Sequence, residues 1–305
     1  MTQNREPVSM ADTSAEKLAA ELEKLSRPLR IVVYGVDCTA TANVVNLLVA
    51  ERILPAEGGR NADIRLSFAR HYAVHVNAMD GDATRYDIED LPNLMEAKQS
   101  LAIGAPLEVL RKIVLLRHAA EDHELLEAAA ARSARFTDLT FLCSDTFGDQ
   151  EKSFWSGLPE KVREKGYHIL PLDARLPRQV QGLVSGIIRV DAAEALLARE
   201  TPNGLDRDAF IQSGGMDLIS TIRQELKWHE RGIEEAKVAL THGGFSIRHT
   251  EPDQPHADSS PVDVGMLQVI PPEAAPENSP SEVTEHAADM PLEPEVDDTQ
   301  QPEFA

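Results

Sequence analysis

The sequence predicts an α/β protein whose mainly parallel sheet carries helices on both of its faces. Through residues 29–240, short apolar runs typical of buried strands alternate with longer stretches in which apolar residues recur at helical spacing. This alternation favours parallel strands, because each helix returns the chain to the edge of the sheet where the previous strand began. The chain has 305 residues, of which 42% are hydrophobic, and this is enough for one sizeable domain.

The amino-terminal part predicts a helix, a strand and a second helix. We expect residues 1–12 to be disordered and residues 13–26 to form a short amphipathic helix, with Thr13 and Glu16 as its capping box. This helix is expected to pack on the closing helix of the domain. The run LRIVVYG (Leu29–Gly35) then predicts a buried strand, and TANVVNLLVAERIL predicts a helix with one apolar face.

The alternation of strands and helices continues along the chain. Strands are predicted around DIRLSFAR and YAVHVNA, with Gly81 and Asp82 as turn residues, and at 110–116, 137–144, 167–173 and 186–190. Helices are predicted over DHELLEAAAARSAR and within EKSFWSGLPEKVREKG. The closing helix is GGMDLISTIRQELKWHERGIEEAKVAL, with an apolar stripe at Leu218, Ile222 and Leu226.

The carboxyl-terminal segment has a different composition from the rest. The formal net charge of the chain is -21, and residues 251–305 contribute 14 Asp or Glu and no Lys or Arg. Such a segment cannot bury enough apolar surface to offset the entropy of ordering, so we predict a disordered, acidic, proline-rich tail over 245–305. The island VDVGMLQVI within it is either a docking segment, with Val264, Leu267 and Ile270 as its contact residues, or a chance apolar cluster.

Charge and composition exclude several classes of partner. An acidic chain repels the phosphates of nucleic acids and anionic lipid surfaces, so we expect no nucleic-acid partner. The sequence has no apolar run of membrane-spanning length and no signal peptide, which predicts a cytoplasmic protein. Two isolated cysteines, Cys38 and Cys143, offer neither a disulfide framework nor a zinc spacing, and no metal site is predicted.

The segment after the first predicted strand has the spacing of a phosphate-binding loop but lacks its chemistry. In G-x-x-x-x-G-K-[ST], backbone amides hold the phosphates, the lysine reaches the outer phosphates and the hydroxyl binds Mg²⁺. Here the second glycine, the lysine and the hydroxyl are replaced, and a carboxylate is added. The spacing alone is weak evidence for a phosphate-binding loop, because every doubly wound fold has a strand, a glycine and a helix in this order. The candidate loop residues are Gly35, Asp37, Thr39, Ala40, Thr41 and Ala42.

Three stretches resemble the dynamin-like large GTPases. NVVNLLVAERILP is similar to the helix after their phosphate loop, where Asn-x-Leu-Leu leads to Leu-Pro. TDLTFLCSDTFGDQEKSFWSGLPEKVREKGYHILPLDARL resembles their segment from the fourth core strand to the guanine-specificity strand, and SGGMDLISTIRQEL resembles the start of their closing helix. The resemblance covers about residues 28–240 and implies a G domain over 27–244.

The motifs that carry the chemistry of this family are degenerate. The base-reading motif, Asn/Thr-Lys-x-Asp, falls on 170–173 and keeps only Asp173, which could accept guanine N–H groups or simply begin a turn. The Asp-x-x-Gly that senses the terminal phosphate falls on 117–120, where an arginine, Arg117, stands in place of the aspartate. We interpret His118 and His123 as part of a solvated helix start, since their spacing does not put both imidazoles on one helical face.

The resemblance therefore implies a pseudo-GTPase that acts as a regulatory or scaffolding protein, without catalytic residues or a cofactor. Its partner would be another protein, for which an active dynamin-like GTPase is one candidate, and any peripheral membrane association would come through that partner. Two alternatives stay open. The chain could bind GTP and Mg²⁺ through a divergent loop, or it could be an unrelated α/β enzyme that uses the strand-end carboxylates Asp37, Asp145 and Asp173.

Overall fold

The strands and helices follow the predicted alternation closely. The computed structural model describes residues 22, 26–55, 63–77, 83–96, 100–120, 122–174, 183–242, 246–249 and 267–270. The strands are β1 (Leu29–Gly35), β2 (Asp63–Phe68), β3 (Ala73–Asn77), β4 (Ala83–Tyr86), β5 (Leu101–Ala105), β6 (Ile113–Ala119), β7 (Leu139–Cys143), β8 (Gly166–Leu170), β9 (Gly186–Arg189), β10 (Ser246–His249) and β11 (Leu267–Ile270). The helices are α1 (Cys38–Val49), α2 (Leu91–Glu96), α3 (His123–Ser133), α4 (Asp149–Gly157), α5 (Glu160–Arg163), α6 (Ala192–Arg199), α7 (Arg207–Gln212) and α8 (Gly215–His242).

Strands β1 to β9 form one sheet with β1 near its centre. The order across the sheet is β4-β3-β5-β2-β6-β1-β7-β8-β9. Strand β1 runs parallel to both β6 and β7, and β8 and β9 continue the parallel arrangement. Strand β2 is antiparallel to β6 but parallel to β5, while β3 is antiparallel to both of its neighbours. The prediction of a mainly parallel α/β sheet is confirmed.

Two apolar cores lie on the two faces of this sheet. Alternate residues of β1 point to opposite faces, so Ile31 and Val33 belong to one core and Val32 and Tyr34 to the other. The first and larger core contains apolar residues of α1, α6, α7 and α8. The second contains residues of α3, α4 and α5. Helices therefore cover both faces, as predicted, and this explains why β1 is apolar along almost its whole length.

Several elements differ from their prediction. Strand β6 extends beyond the predicted 110–116 and includes two buried polar residues, Arg117 and His118. The Arg117 guanidinium and the Nδ1 of His118 form hydrogen bonds inside the protein. The predicted helix within EKSFWSGLPEKVREKG is two helices, because Pro159 cannot continue α4. Strands β4 and β5 and the helices α2, α6 and α7 were not predicted.

The closing helix has its predicted position and buried stripe. Leu218 and Ile222 are buried in the larger core, and Leu226 packs against it. At the amino-terminal end, Leu22 and Ser26 are helical, Leu22 is fully buried, and His229 Nε2 of α8 donates to the carbonyl of Arg27 over 3.0 Å. Most of the predicted helix over 13–26 lies outside the described residues, so its packing on α8 stays a prediction.

Two stretches of the predicted disordered tail form strands. β10 and β11 pair antiparallel, with Ser246 opposite Ile270 and His249 opposite Leu267. The stretch LQVI in β11 is rich in residues that favour strands, so the structure differs from the prediction here for a reason visible in the sequence. The rest of the tail, including Val264, lies outside the described residues, as do residues 1–12 and the turn at Gly81 and Asp82. In the described part of the chain, we find no helix with the length and apolar character needed to span a membrane.

Candidate functional site

The candidate loop lies at the carboxyl end of the central strand. Strand β1 ends at Gly35 and α1 begins at Cys38, so the loop joins a parallel strand to a helix N-terminus. Gly35 is in register with Ala119 of β6 on one side and with Cys143 of β7 on the other. The loop therefore occupies the position at which open α/β sheets bind their ligands.

The carboxylate of Asp37 caps α1 from within this loop. Its Oδ1 accepts hydrogen bonds from the amides of Thr39 over 2.7 Å and of Ala40 over 3.0 Å. Amides at a helix N-terminus are the groups that would otherwise hold an anion such as phosphate. Two of the loop amides are therefore already bound to a negative charge of the protein itself.

Arg117 reaches the same loop from β6. Its Nε donates to Thr41 Oγ1 over 3.0 Å and its Nη2 donates to the carbonyl of Cys38 over 2.9 Å. The residue is only 1% exposed. Burial lowers the pKa of the Arg117 guanidinium, and the neighbouring Cys38 side chain partly offsets that effect. A cation is thus held beneath the first turn of α1, although the lysine of a phosphate-binding loop is missing.

Thr41 and Ala42 face the interior of the protein. Thr41 is completely buried, and its hydroxyl lies 3.0 Å from both the Asp37 and the Cys38 carbonyl oxygens, to which it can donate. Ala42 is also completely buried, in the larger core. Neither position presents a side-chain group to a ligand in the loop.

Gly35 has a packing role that does not depend on a nucleotide. A Cβ added there would lie 2.7 Å from Thr41 Cγ2 and 2.8 Å from the carbonyl oxygen of Cys143. Both distances are shorter than van der Waals contact, so the close approach of α1 and β7 to the end of β1 requires glycine. The one glycine that survives from the phosphate-loop pattern is therefore explained by the fold alone.

The other strand-end carboxylates lie at the same edge of the sheet without a shared partner. Asp145 follows β7 and Asp173 lies in a turn after β8, and both are exposed. Asp37, by contrast, is engaged in capping α1. In the ranges that the structure describes, no group of three or more His, Cys, Asp or Glu side chains is arranged to hold a metal ion.

A partly buried polar network that the sequence did not predict lies on the opposite face of β6 from Arg117. His118 stacks on Tyr34 with 5.4 Å between ring centroids, and its Nδ1 lies 2.7 Å from Asp63 Oδ1. Arg132 of α3 donates to the other Asp63 oxygen over 2.8 Å. Burial alone would raise the pKa of Asp63, but the hydrogen bonds and charges of His118 and Arg132 outweigh it and lower that pKa.

His118 and His123 do not share a site. His118 belongs to the network with Asp63, whereas His123, the first residue of α3, has its Nε2 3.7 Å from Glu151 Oε1. The expectation of a solvated helix start is therefore wrong for His118, which is buried within β6. His123 does begin α3, but its side chain is only 18% exposed. The signal in the sequence that could have indicated His118 is the polar pair Arg117 and His118, which follows the apolar run of this strand.

Comparison with known proteins finds the same fold in bacterial dynamin. A solved structure, described as an oligomerised bacterial dynamin pair that provides a mechanism for the long range sensing and tethering of membranes, is 16% identical over 78% of this chain and 41% of its own, with a TM-score of 0.50. A second structure of such a pair is 15% identical over the same shares, with a TM-score of 0.49. Era from Aquifex aeolicus is 11% identical over 61% of this chain and 56% of its own, with a TM-score of 0.29.

These comparisons establish the fold and no more. No protein-family model matches the sequence, and no curated protein matches it. The chain spans about two fifths of the length of the bacterial dynamin that it matches, since 41% of that chain is covered. The protein therefore shares its fold with the matched bacterial dynamin structure.

Proposed function

We propose that this protein is a pseudo-GTPase, a dynamin-like G domain that binds nucleotide weakly or not at all and acts as a regulatory or scaffolding partner. The observation that carries the proposal is that a carboxylate of the protein itself already binds the amides of the loop. The Asp37 carboxylate accepts from the amides of Thr39 and Ala40, where a phosphate would bind. A phosphate would have to displace this carboxylate and then remain beside its charge.

The missing side chains weaken binding further. A charge-assisted hydrogen bond contributes about 1.5–3 kcal/mol, so the loss of two such bonds lowers nucleotide affinity by about two to four orders of magnitude. Arg117 does not replace the lysine, because its guanidinium is buried against Thr41 and the Cys38 carbonyl. The capped loop amides and the missing side chains therefore both lower the affinity for nucleotide.

The comparison with bacterial dynamin supports the proposed partner. The matched structure is described as an oligomerised pair of dynamins in the sensing and tethering of membranes. We infer that this chain pairs with another dynamin-like protein, that the partner supplies GTP hydrolysis, and that any membrane association comes through it. Leu267 and Ile270 of the apolar island remain candidate contact residues, and Val264 lies outside the described residues.

Calorimetric titration of the full chain with GTP and Mg²⁺ tests the loss of nucleotide binding. We expect no heat of binding up to millimolar nucleotide. Binding in the micromolar range would contradict the proposal and favour an active GTP-binding protein with a divergent loop. Asp37→Asn is the matched variant, because it removes the charge but keeps a side-chain oxygen that can cap α1. If the carboxylate is part of the block, affinity should rise in this variant before any lysine is added.

A further inference from the structure

A cluster of arginines surrounds an exposed aromatic ring at the amino-terminal edge of the sheet. The ring is that of Phe136, which follows α3 and is 42% exposed. Arg30 lies at the start of β1, and Arg65 lies in β2. We call this cluster the arginine patch, and it consists of Arg27, Arg30, Arg65, Arg135 and Phe136.

Two of the guanidinium groups are stacked on Phe136. The guanidinium carbon of Arg30 lies 5.3 Å from the ring centroid, and that of Arg135 lies 4.4 Å from it. Arg30 also donates from Nη1 to the Phe136 carbonyl over 3.5 Å. Stacking on an aromatic face holds a guanidinium plane in place, so less freedom is lost when its N–H groups bind a ligand.

Positive charge exceeds negative charge in this region. Asp138 lies 3.5 Å from Arg27, and its other oxygen accepts from the backbone amide of Arg30. Four arginines and one carboxylate thus belong to this region, in a chain whose formal net charge is -21. Burial lowers the pKa of the Arg30 guanidinium. The positive charges of Arg27 and Arg65 lower this pKa further, as expected where cations are crowded together, whereas the negative charge of Asp138 raises it.

We propose that the arginine patch is a docking site for an acidic peptide segment of a partner protein. Carboxylates fit the planar guanidinium group, and the patch already binds one, since Asp138 pairs with Arg27. Phe136 offers an apolar surface for a hydrophobic side chain placed among the acidic residues of that segment.

A peptide fits the charge distribution of the chain better than an extended polyanion does. A membrane surface or a nucleic acid would meet the negative field of the whole molecule, whereas a short segment meets only the local charge within a screening length of about 8 Å. The patch also lies away from the phosphate-loop position. Arg30 and Gly35 are five residues apart in β1, or about 16 Å along the strand. The proposal therefore does not depend on whether the loop binds nucleotide.

Fluorescence anisotropy of the full chain tests this proposal. The probe is a fluorescein-labelled peptide of glutamates with one central leucine, and the control probe has glutamine at every glutamate position. We expect the acidic peptide to bind and the glutamine peptide not to bind. Arg30→Glu with Arg135→Glu should weaken binding by at least about ten-fold, because two charge-assisted contacts become repulsive. Higher salt should weaken the binding as well.

The matched control carries the same charge change elsewhere. Arg207→Glu with Arg223→Glu, at exposed positions of α7 and α8, should leave affinity within about two-fold if the effect is local. Equal losses in both double variants would overturn the proposal, as would absence of binding by the wild type. Binding to phosphatidylserine vesicles but not to the peptide would overturn it in favour of a lipid surface.

Two further variants keep the proposal testable if the glutamate pair does not fold. Arg30→Lys with Arg135→Lys retains the charge but loses the fork, and Phe136→Ala removes the ring that orients both guanidinium groups. Each should bind the peptide several-fold more weakly than the wild type. Wild-type affinity in both variants would show that the patch has no specific role.

Discussion

The Nε of Arg117 donates a hydrogen bond to Oγ1 of Thr41 over 3.0 Å, although the two residues are 76 positions apart in the chain. This bond fixes the first turn of α1 to β6 and places the guanidinium below the position of a phosphate-binding loop. A lysine at position 41 would therefore meet a buried cation. Restoration of the loop sequence alone should not restore its function.

The first prediction compares two sets of loop substitutions. Ala40→Gly, Thr41→Lys and Ala42→Ser restore the missing motif, but we expect this triple variant to bind GTP barely or not at all. Addition of Asp37→Asn and Arg117→Ala removes the competing carboxylate and the buried cation. The five substitutions together should give measurable affinity in a calorimetric titration with GTP and Mg²⁺.

Equal affinity of the triple and the fivefold variant would show that Asp37 and Arg117 do not block the loop. If the fivefold variant melts cooperatively and still binds no GTP at millimolar concentration, the loop is not a decayed phosphate-binding loop. Thermal unfolding monitored by circular dichroism provides the control for folding in both cases.

The second prediction concerns Gly35→Ala. The added Cβ would clash with Thr41 Cγ2 and with the Cys143 carbonyl, so we expect a loss of about 1–3 kcal/mol in the free energy of unfolding. Urea unfolding measures the loss. Gly157→Ala is the control, because a Cβ there meets no atom within 4 Å. An unchanged free energy of unfolding in Gly35→Ala would show that packing does not require this glycine and would favour a role in ligand binding.

The buried parallel strands could be predicted because their apolar runs are continuous. Strands β1, β7 and β8 are each almost entirely buried, and their composition indicates this directly. Strand β5, LAIGA, was missed because it is short and has small residues. Helices α6 and α7 begin after Asp191 and Asp206, whose carboxylates cap them, and these caps were the available signals.

The candidate loop could be located from the sequence, but the contacts that Asp37 and Arg117 make with it could not be predicted. The glycine after an apolar run marked its position, and the aspartate at 37 was recognised as a gain of charge. The contact of Arg117 with Thr41 depends on β6 lying beside β1, which no local pattern of residues encodes. The interpretation of Arg117 as the first residue after a strand was wrong, because β6 continues to Ala119.

The third prediction concerns the bond between Tyr167 of β8 and Glu225 of α8. The Tyr167 hydroxyl donates to Glu225 Oε1 over 3.0 Å, and Glu225 is only 4% exposed. Tyr167→Phe leaves this carboxylate without the donor, so we expect the free energy of unfolding to fall by about 1–3 kcal/mol. A double-mutant cycle with Glu225→Met, which removes the acceptor, isolates the coupling. Additive effects of the two substitutions would show that the bond does not stabilise the closing helix.

The last prediction concerns His168, whose ring is fully buried in β8. Its Nε2 lies 2.8 Å from Ser144 Oγ, and the ring packs 4.8 Å from that of Phe147. Burial lowers the pKa of His168 to about 4, whereas an unfolded chain titrates near its ordinary value of about 6.5. Below that ordinary value the unfolded state takes up the proton first. Stability from the neutral ring is therefore complete above about pH 6.5 and is lost as the pH falls towards about 4.

The loss should be measurable in the upper part of this window. Between about pH 7.5 and about pH 5, these two pKa values correspond to about 2 kcal/mol of unfolding free energy. Urea unfolding of the wild type at both pH values gives the total loss, and His168→Phe keeps a ring against Phe147 while removing the titrating group. We expect the variant to lose less stability on acidification, whatever its stability at neutral pH. The effect is separable from that of Asp63, whose lowered pKa places its contribution at lower pH. An equal loss in wild type and variant would assign the acid sensitivity to other groups.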